Sequence, residues 1–171
     1  MALKADRHEF QTDISFFMDE TANRGECVVH VGTTASGAAM DQGVNLVDSP
    51  ATILETDIPV GILLNDVVDK DLTRTHLNHH KDEVQKGGKV TILRKGWVVT
   101  DQIAGTPAAG DRAFVDDAGA IGNQLFPSTA IASGNLLIGR FLTAKDEDGY
   151  CKVEVNLPIP IQHTVAGALL K

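Results

Sequence analysis

Cysteine is scarce in this chain, and its scarcity removes two classes of small protein. Cys27 and Cys151 are the only cysteines in 171 residues, and they lie far apart, outside any Cys-x-x-Cys or paired Cys/His pattern. A disulfide framework or a structural zinc site needs several ligating residues at short spacing. Each cysteine instead begins a Cys-x-Val-x-Val run, so both are expected to be small buried hydrophobic residues on one side of a strand.

Long apolar stretches and an excess of positive charge are also missing. No apolar run is long enough to cross a bilayer, and residues 1–8 lack the apolar centre of a signal peptide. We therefore expect no membrane partner and synthesis in the cytoplasm. The chain has 15 basic and 23 acidic residues, for a net charge of -8, which repels phosphate backbones. Nucleic acid is not an expected partner.

Catalytic sequence patterns are absent as well, and a single pair of histidines is the main candidate for metal binding in the sequence. His76 and His80 are spaced as i and i+4, which on a helix can place two imidazoles toward one metal ion. The His-Glu-x-x-His and His-x-His arrangements are missing, so we interpret this segment as a solvated or interface-facing polar stretch. No serine lies in a nucleophile-elbow sequence. We predict no enzyme activity, no catalytic residue, no metal and no cofactor.

The pattern that is present is that of β-structure. Short alternating apolar runs are separated by glycine-centred polar turns at residues 117–119 and 147–149. The fold class predicted is mainly β, an antiparallel barrel or sandwich. Pro59 is expected on an edge strand or at a strand start, because proline cannot donate within a sheet. One short helix or a long loop is predicted near residues 70–86, and extended arms at both termini. The domain boundaries predicted are an N-terminal arm at 1–24, a β-domain at 25–157 and a tail at 158–171.

The two termini carry apolar residues that need a covering surface. Near the N-terminus, Phe10, Ile14, Phe16 and Met18 recur at even spacing and would share one face of an extended segment. This segment is either an arm laid on another surface or a strand or short helix of the same domain, with Phe17 in its core. The tail alternates proline with apolar residues, so it either covers its own barrel or crosses to a neighbouring subunit; we favour exchange between subunits. The candidate contact residues are Phe10, Ile14, Phe16, Phe17, Ile159, Ile161, Leu169 and Leu170.

Three segments in the second half of the chain carry a resemblance to a known family. In order, residues 110–121, 138–142 and 149–157 resemble the "Gly-Asp-x-Val-Tyr-Val, Ile-Gly-x-Ala-Leu, Gly-x-x-x-Val-x-Leu" pattern of small β-barrel capsid decoration (cement) proteins of tailed bacteriophages. Residues 87–100 also look like phage virion structural proteins. The resemblance implies a non-enzymatic protein that binds the outside of a phage head, commonly as a homotrimer, and stabilises contacts between capsomers.

Under this resemblance the partners are the major capsid protein and further copies of the chain, and the location is the virion surface after synthesis in the host cytoplasm. Two alternatives remain open at the level of sequence. One is another phage structural subunit, of the shell or the tail tube. The other is a metal-dependent β-barrel enzyme or carbohydrate-binding module that uses the region from His76 to His80.

Overall fold

A computed structural model describes residues 3–30, 46–53, 57–68, 83–84, 86–123 and 136–157 of the chain. Regular structure in these ranges is almost entirely β-strand, which confirms the predicted mainly β fold. The strands are β1 (His8–Asp13), β2 (Phe17–Met18), β3 (Ala22–Asn23), β4 (Cys27–His30), β5 (Leu46–Asp48), β6 (Pro59–Val68), β7 (Glu83–Val84), β8 (Lys89–Thr100), β9 (Arg112–Val115), β10 (Ile121–Gly122), β11 (Leu137–Phe141) and β12 (Cys151–Asn156). A single turn of 3-10 helix, Asp117–Gly119, joins β9 to β10.

Five of the strands close into a small barrel. The ring runs from β8 to β6, β4, β5 and β2 and returns to β8, so the predicted barrel is confirmed. All neighbours in it are antiparallel except β2 and β5, which pair in parallel. Closure removes the unpaired strand edges that would otherwise promote association. Pro59 begins β6, as expected for a residue without a backbone donor.

Strand β8 extends beyond the barrel and organises a second sheet. Along one of its edges it pairs with β6 up to Leu93 and with β12 from Lys95 onward. Strands β11, β9 and β10 then follow β12, and β1 pairs with the other edge of β8. We call β1, the second half of β8, β12, β11, β9 and β10 the open sheet. At Gly96, φ is +142° and an added Cβ would lie 2.0 Å from the His8 carbonyl oxygen, so β8 and β1 approach closely only because this residue is glycine.

The alternating strand residues divide between two hydrophobic cores. Val28 of β4 points into the barrel, while Cys27 and Val29 point outward to the space between the barrel wall and the open sheet. The barrel core comprises Phe16, Met18, Ala22, Val28, Val47, Val60, Leu63, Val84, Val90 and Ile92. The second core draws residues from β4, β6 and β8 of the barrel and from β9 to β12 of the open sheet. The barrel therefore presents apolar residues on both sides of its β4 and β6 wall.

Two predicted turns occur where the glycines indicated. Between β9 and β10, Ala118 and Gly119 both adopt positive φ, 56° and 66°, as a tight primed hairpin turn requires. Val115 pairs with Ile121 across this turn. Between β11 and β12, Gly149 has φ of 89°. The close approach of Gly119 to the Ser49 hydroxyl, 2.3 Å from an added Cβ, also ties this turn to the segment after β5.

Some predictions lie mainly outside the described residues. Of the helix or loop predicted near 70–86, the structure describes Glu83–Val84, which pairs with β3, and the turn residues that follow at 86–88. His76 and His80, the tail at 158–171 and its four candidate contact residues fall outside the described ranges. The division of the chain into arm, domain and tail stays a prediction.

The N-terminal segment runs along one edge of β8 within the same chain. Leu3 bridges to Thr100 at one end, β1 covers the middle of the edge, and Phe17 of β2 pairs with Lys89 at the other end. The Lys4 amide also donates to the Val99 carbonyl at 2.9 Å. Residues 8–13 and 17–18 of this segment therefore form strands of its own domain.

Candidate interaction surface

The cysteines are structural, as their alternating pattern predicted. Cys27 and Cys151 are both fully buried and unpaired with each other. Burial raises the pKa of the Cys27 thiol to about 12, and burial also raises the pKa of Cys151. A reactive cysteine requires the opposite shift, toward thiolate at neutral pH. Within the described ranges, no cluster of three or more His, Cys, Asp or Glu side chains is arranged to hold a metal ion. The described part of the chain also contains no helix long and apolar enough to span a bilayer.

The open sheet has one face against the second core and one face in solvent. Strand register places a single row of side chains across the solvent side, from β1 through β8, β12 and β11 to β9. This row, which we call the outer row, consists of His8, Trp97, Glu154, Arg140 and Arg112. Residues directly opposite each other on neighbouring strands project to the same face and are close enough to interact. We use the term outer face for the outer row together with its neighbours Lys95, Lys152 and Leu142.

An aromatic cluster lies at the β1 end of the outer face. The His8 ring stacks on Trp97, with centroids 4.8 Å apart and an interplanar angle of 24°. Phe10 meets His8 edge-on at 4.4 Å and Trp97 at 6.0 Å, and 64% of Phe10 is exposed to solvent. The Lys152 ammonium lies 5.2 Å from the centroid of the Trp97 ring, in cation–π geometry. Phe10 is thus exposed to solvent while it packs against the stacked rings of His8 and Trp97.

Cations dominate the rest of the outer face. Arg140 lies 4.0 Å from the Glu154 carboxylate, a long and exposed ion pair, and Lys152 lies 3.0 Å from Asp6. Lys95 and Arg112 are exposed and form no ion pair with any described residue. Arg112 is directly opposite Arg140 in the register of β9 and β11. Like charges in such positions destabilise a sheet, so this part of the face concentrates positive charge at a cost to stability.

The N-terminal residues hold one border of the outer face in place. The Lys4 ammonium donates to the Asp146 carboxylate at 2.9 Å and lies 4.0 Å from the centroid of the Tyr150 ring. This hydrogen bond raises the pKa of Lys4 and is the largest cause of the lowered pKa of Asp146. Asp146 also accepts from the Tyr150 amide at 2.7 Å, inside the turn between β11 and β12. The segment before β1 is therefore fastened to the far hairpin of the same sheet.

Negative charge collects at one end of the barrel instead. Asp48 ends β5, and Asp19 and Glu20 follow β2, its parallel neighbour; Asp57 precedes β6. Burial raises the pKa of the Asp48 carboxyl, and repulsion from Glu20, Asp57 and Asp19 raises it further. The Ser49 amide donates to Glu20 at 3.0 Å and partly offsets this repulsion. We call these four residues the acidic end of the barrel. Acidic side chains therefore cluster at this end of the barrel, whereas Lys95, Arg112, Arg140 and Lys152 cluster on the outer face of the open sheet.

Comparison with known proteins identifies the family. A family model described as "Structural cement protein (E217 gp24/Pam3 gp6)" matches residues 7–156. The chain belongs to this family of phage cement proteins. The matched residues include all twelve strands, so the barrel and the open sheet are both part of the cement-protein domain. None of the curated proteins compared with the chain matches its sequence.

Family membership confirms the resemblance seen in the second half of the sequence. It makes this cement protein a structural component of the phage virion. The match also extends well beyond the three segments that carried the resemblance, because it begins next to β1 and ends at the last residue of β12.

The four N-terminal candidate contact residues of this cement protein separate into an exposed pair and a buried pair. Phe10 and Ile14 are 64% and 47% exposed, and they remain candidates for contact with a partner. Phe16 and Phe17 are buried, at 8% and 9% exposure, where β2 closes the barrel. A role for those two in binding would require the barrel to give up one of its strands. The prediction that the tail residues bind a partner is not addressed by the described ranges.

The outer face itself was not predicted from the sequence of this cement protein. Alternation does place Lys95 and Trp97 on one side of β8, and Lys152 and Glu154 on one side of β12. Which residues of different strands become neighbours depends on register, and the pairing of β1 with β8 joins residues almost ninety positions apart, as in His8 with Trp97. The signal that could have drawn attention to the face is the occurrence of the only tryptophan on the polar side of a strand.

Proposed function

We propose that this cement-family protein binds the outer surface of a phage head as a homotrimer and stabilises contacts between capsomers. The observation that carries the proposal is the family match over residues 7–156. The partners would be the major capsid protein and further copies of the chain, and the protein would act without making or breaking covalent bonds.

The architecture is suited to this role because a well-packed hydrophobic core lies beneath the exposed face of the open sheet. A cement must transmit force between shell subunits, which a mobile scaffold does poorly. Here a closed barrel and an open sheet share β8 and are joined by a second core that contains fully buried Ile62, Leu93 and Phe141. Well-packed interiors have low compressibility and transmit strain. Even weak contacts per copy then suffice, since a bound copy raises the effective concentration of its next contact.

The exposed apolar residues near β1 also support contact with a partner. Phe10 and Ile14 are among the large hydrophobic side chains most exposed within the described ranges. Aromatic residues are enriched at the centres of protein interfaces, where they bury large areas with little loss of conformational freedom. The proposed contact residues in the tail, Ile159, Ile161, Leu169 and Leu170, would add apolar area from the other terminus.

Co-sedimentation tests head binding directly. Purified protein is mixed with expanded heads that lack it, and the pellet is quantified over a range of concentrations. We expect saturable binding and a higher temperature of head disruption in the decorated sample. Absence of the protein from the pellet at micromolar concentration would contradict the proposed function.

The homotrimer is tested by the mass of the protein in solution and after mild release from heads. We expect three times the chain mass of 18.2 kDa. A mass of one chain in both samples would contradict the trimer but leave head binding intact. Deleting residues 1–20 is unsuitable as a binding test, because it would remove β2 from the barrel together with the fully buried Met18.

A further inference from the structure

We infer that the outer face is the docking surface of this protein, and that its occupant is a carboxylate-rich segment on the surface of the shell protein. This inference rests on the proposed function and adds to it the side of the molecule that is used and the chemistry of the partner. It is carried by the distribution of charge, by the register of the sheet and by the aromatic cluster.

The outer face carries an excess of positive charge on a molecule that is acidic in total. The chain has a net charge of -8, yet Lys95, Arg112, Arg140 and Lys152 lie on one side of the open sheet, against Glu154 of the outer row and Asp6, which pairs with Lys152. A face that opposes the net charge orients an approaching protein, since its favourable potential competes with repulsion everywhere else. An acidic partner is therefore directed to this face and away from the acidic end of the barrel.

Two neighbouring arginines of the outer face have few acidic partners among the described residues. Arg112 is exposed, forms no ion pair with the described residues and stands opposite Arg140. Arg140 in turn has only a 4.0 Å contact with Glu154, whose side chain is 48% exposed. Guanidinium groups bind carboxylates through paired hydrogen bonds, so two neighbouring arginines form a site for one or two carboxylates. A bound carboxylate would convert the repulsion between the arginines into attraction for both.

The aromatic cluster favours a protein partner. Phe10 is mostly exposed, whereas the Trp97 ring is stacked on His8 and contacts the Lys152 ammonium. Single-stranded nucleic acids bind through a series of open aromatic faces on which successive bases stack, and the Trp97 ring is already covered. Phe10, beside a cationic surface, instead offers an apolar contact flanked by hydrogen-bond donors, which is the composition of a protein interface centre.

Charge reversal at Arg112 tests the inference with a matched control. Arg112→Glu reverses the charge of an exposed outer-face residue that forms no ion pair with the described residues. Lys86→Glu makes the same charge change near the acidic end of the barrel, where Lys86 is 71% exposed and 3.3 Å from Asp19. In co-sedimentation with expanded heads at low salt, we expect Arg112→Glu to weaken binding about tenfold or more and Lys86→Glu to change it less than about twofold. Wild-type binding should fall as salt is raised.

A neutral replacement separates binding from folding. Arg112→Gln removes the repulsion with Arg140, so its melting temperature should equal or exceed that of the wild type. Its head binding should nevertheless be weaker. If Arg112 served only the stability of the sheet, its replacement would not weaken head binding while leaving the melting temperature unchanged or higher.

The possible outcomes distinguish this inference from the proposed function. If the wild type fails to pellet with heads, the proposed function fails and the inference with it. If the wild type binds and Arg112→Glu binds equally well, the inference is wrong while the proposed function stands. A change in the solution mass of Arg112→Glu would make a second copy of the chain the occupant and overturn the inference. Binding of the wild type to a single-stranded DNA oligonucleotide that is lost in Arg112→Glu would overturn it in favour of nucleic acid.

Discussion

The barrel and the open sheet share strand β8 but expose their surfaces in opposite ways. In the barrel, β8 contributes Val90 and Ile92 to an enclosed core, and closure leaves no free edge among its five strands. In the open sheet, the same strand contributes Val98 to the second core and Trp97 to a solvent face. The barrel is closed and has acidic residues at one end, whereas the open sheet carries an aromatic cluster and four cations on its outer face. The difference teaches that one continuous strand can bury side chains on both faces in one region and leave one face in solvent in another.

The largest expected effect is a difference in stability between two substitutions in the N-terminal segment, one in the barrel core and one on the solvent side of β1. Met18→Ala should lower the free energy of unfolding by about 2–5 kcal/mol, because Met18 is fully buried in the barrel core. Phe10→Ala should change it by no more than about 1 kcal/mol, since most of that side chain is in solvent. Chemical denaturation measures both. Equal, small effects would mean that β2 is not a barrel strand.

The contact between β1 and β8 is tested next, at Gly96. Gly96→Ala should cost more than about 1 kcal/mol, because it combines positive φ with an overlap of the new Cβ and the His8 carbonyl. Gly110→Ala is the control: φ is +94° there, but an added Cβ meets nothing within 4 Å. We expect amide exchange at residues 8–13 to accelerate in the first variant only. Identical exchange in both variants would show that β1 does not lie against Gly96.

A smaller effect contrasts an acid of the barrel with an acid of the open sheet. The pKa of Asp48 is raised by burial and neighbouring acids, so folding favours its protonated form. In the unfolded chain an Asp carboxyl ionises with a pKa of about 3.9, and in the folded protein Asp48 ionises at a higher pH. The free energy of unfolding therefore falls as pH rises from the unfolded pKa through the folded pKa. Asp48→Asn should therefore raise the melting temperature at pH 7 and lose this advantage in acid.

The pKa of Asp111 is shifted in the opposite direction from that of Asp48. Its pKa is lowered by hydrogen bonds from the Ala108 amide and the Asn123 side chain. The stability that it contributes is present above the unfolded carboxyl pKa and is lost as pH falls through the lower, folded pKa. Asp111→Asn should lower the melting temperature at pH 7. Shifts of the same sign for both variants in a pH series of thermal melts would contradict the electrostatic contrast between the two regions.

The smallest expected signal comes from the cysteines that face the second core. Neither Cys27 nor Cys151 should react with a thiol reagent in the folded protein at pH 8, because both are buried and both have raised pKa values. Both should react after denaturation. Fast labelling of either thiol in the native protein would indicate that the second core opens readily.

The sequence contained the local features of the fold but not its long-range arrangement. Alternation in the Cys-x-Val-x-Val runs, the Asp-Gly turn before β12 and the proline at the start of β6 all correspond to the structure. These features depend on neighbouring residues. The parallel pairing of Phe17–Met18 with Leu46–Val47 could not be predicted, because a two-residue strand carries no readable period.

The N-terminal segment shows the same limit at the level of the candidate site. Even spacing suggested one shared face for Phe10, Ile14, Phe16 and Met18, but the chain leaves strand geometry after Asp13 and resumes it at Phe17. Phe10 and Ile14 consequently face solvent, while Phe16 and Met18 join the barrel core. The outer face depends equally on register, which is set by tertiary pairing and not by local pattern.

The central claim is that β1 stays on its own sheet while the protein binds, so the docking surface is preformed. Gln11 and Lys95 are Cα partners between two register shifts and both are exposed, so Gln11→Cys with Lys95→Cys can lock β1 to β8 through a disulfide. Lys95 is replaced in both redox states, so its loss from the outer face affects them equally. Co-sedimentation of this variant with heads, with and without reductant, is the most direct test. The account predicts the same binding in both states. Binding that appears only after reduction would show that the N-terminal segment must detach to reach its partner.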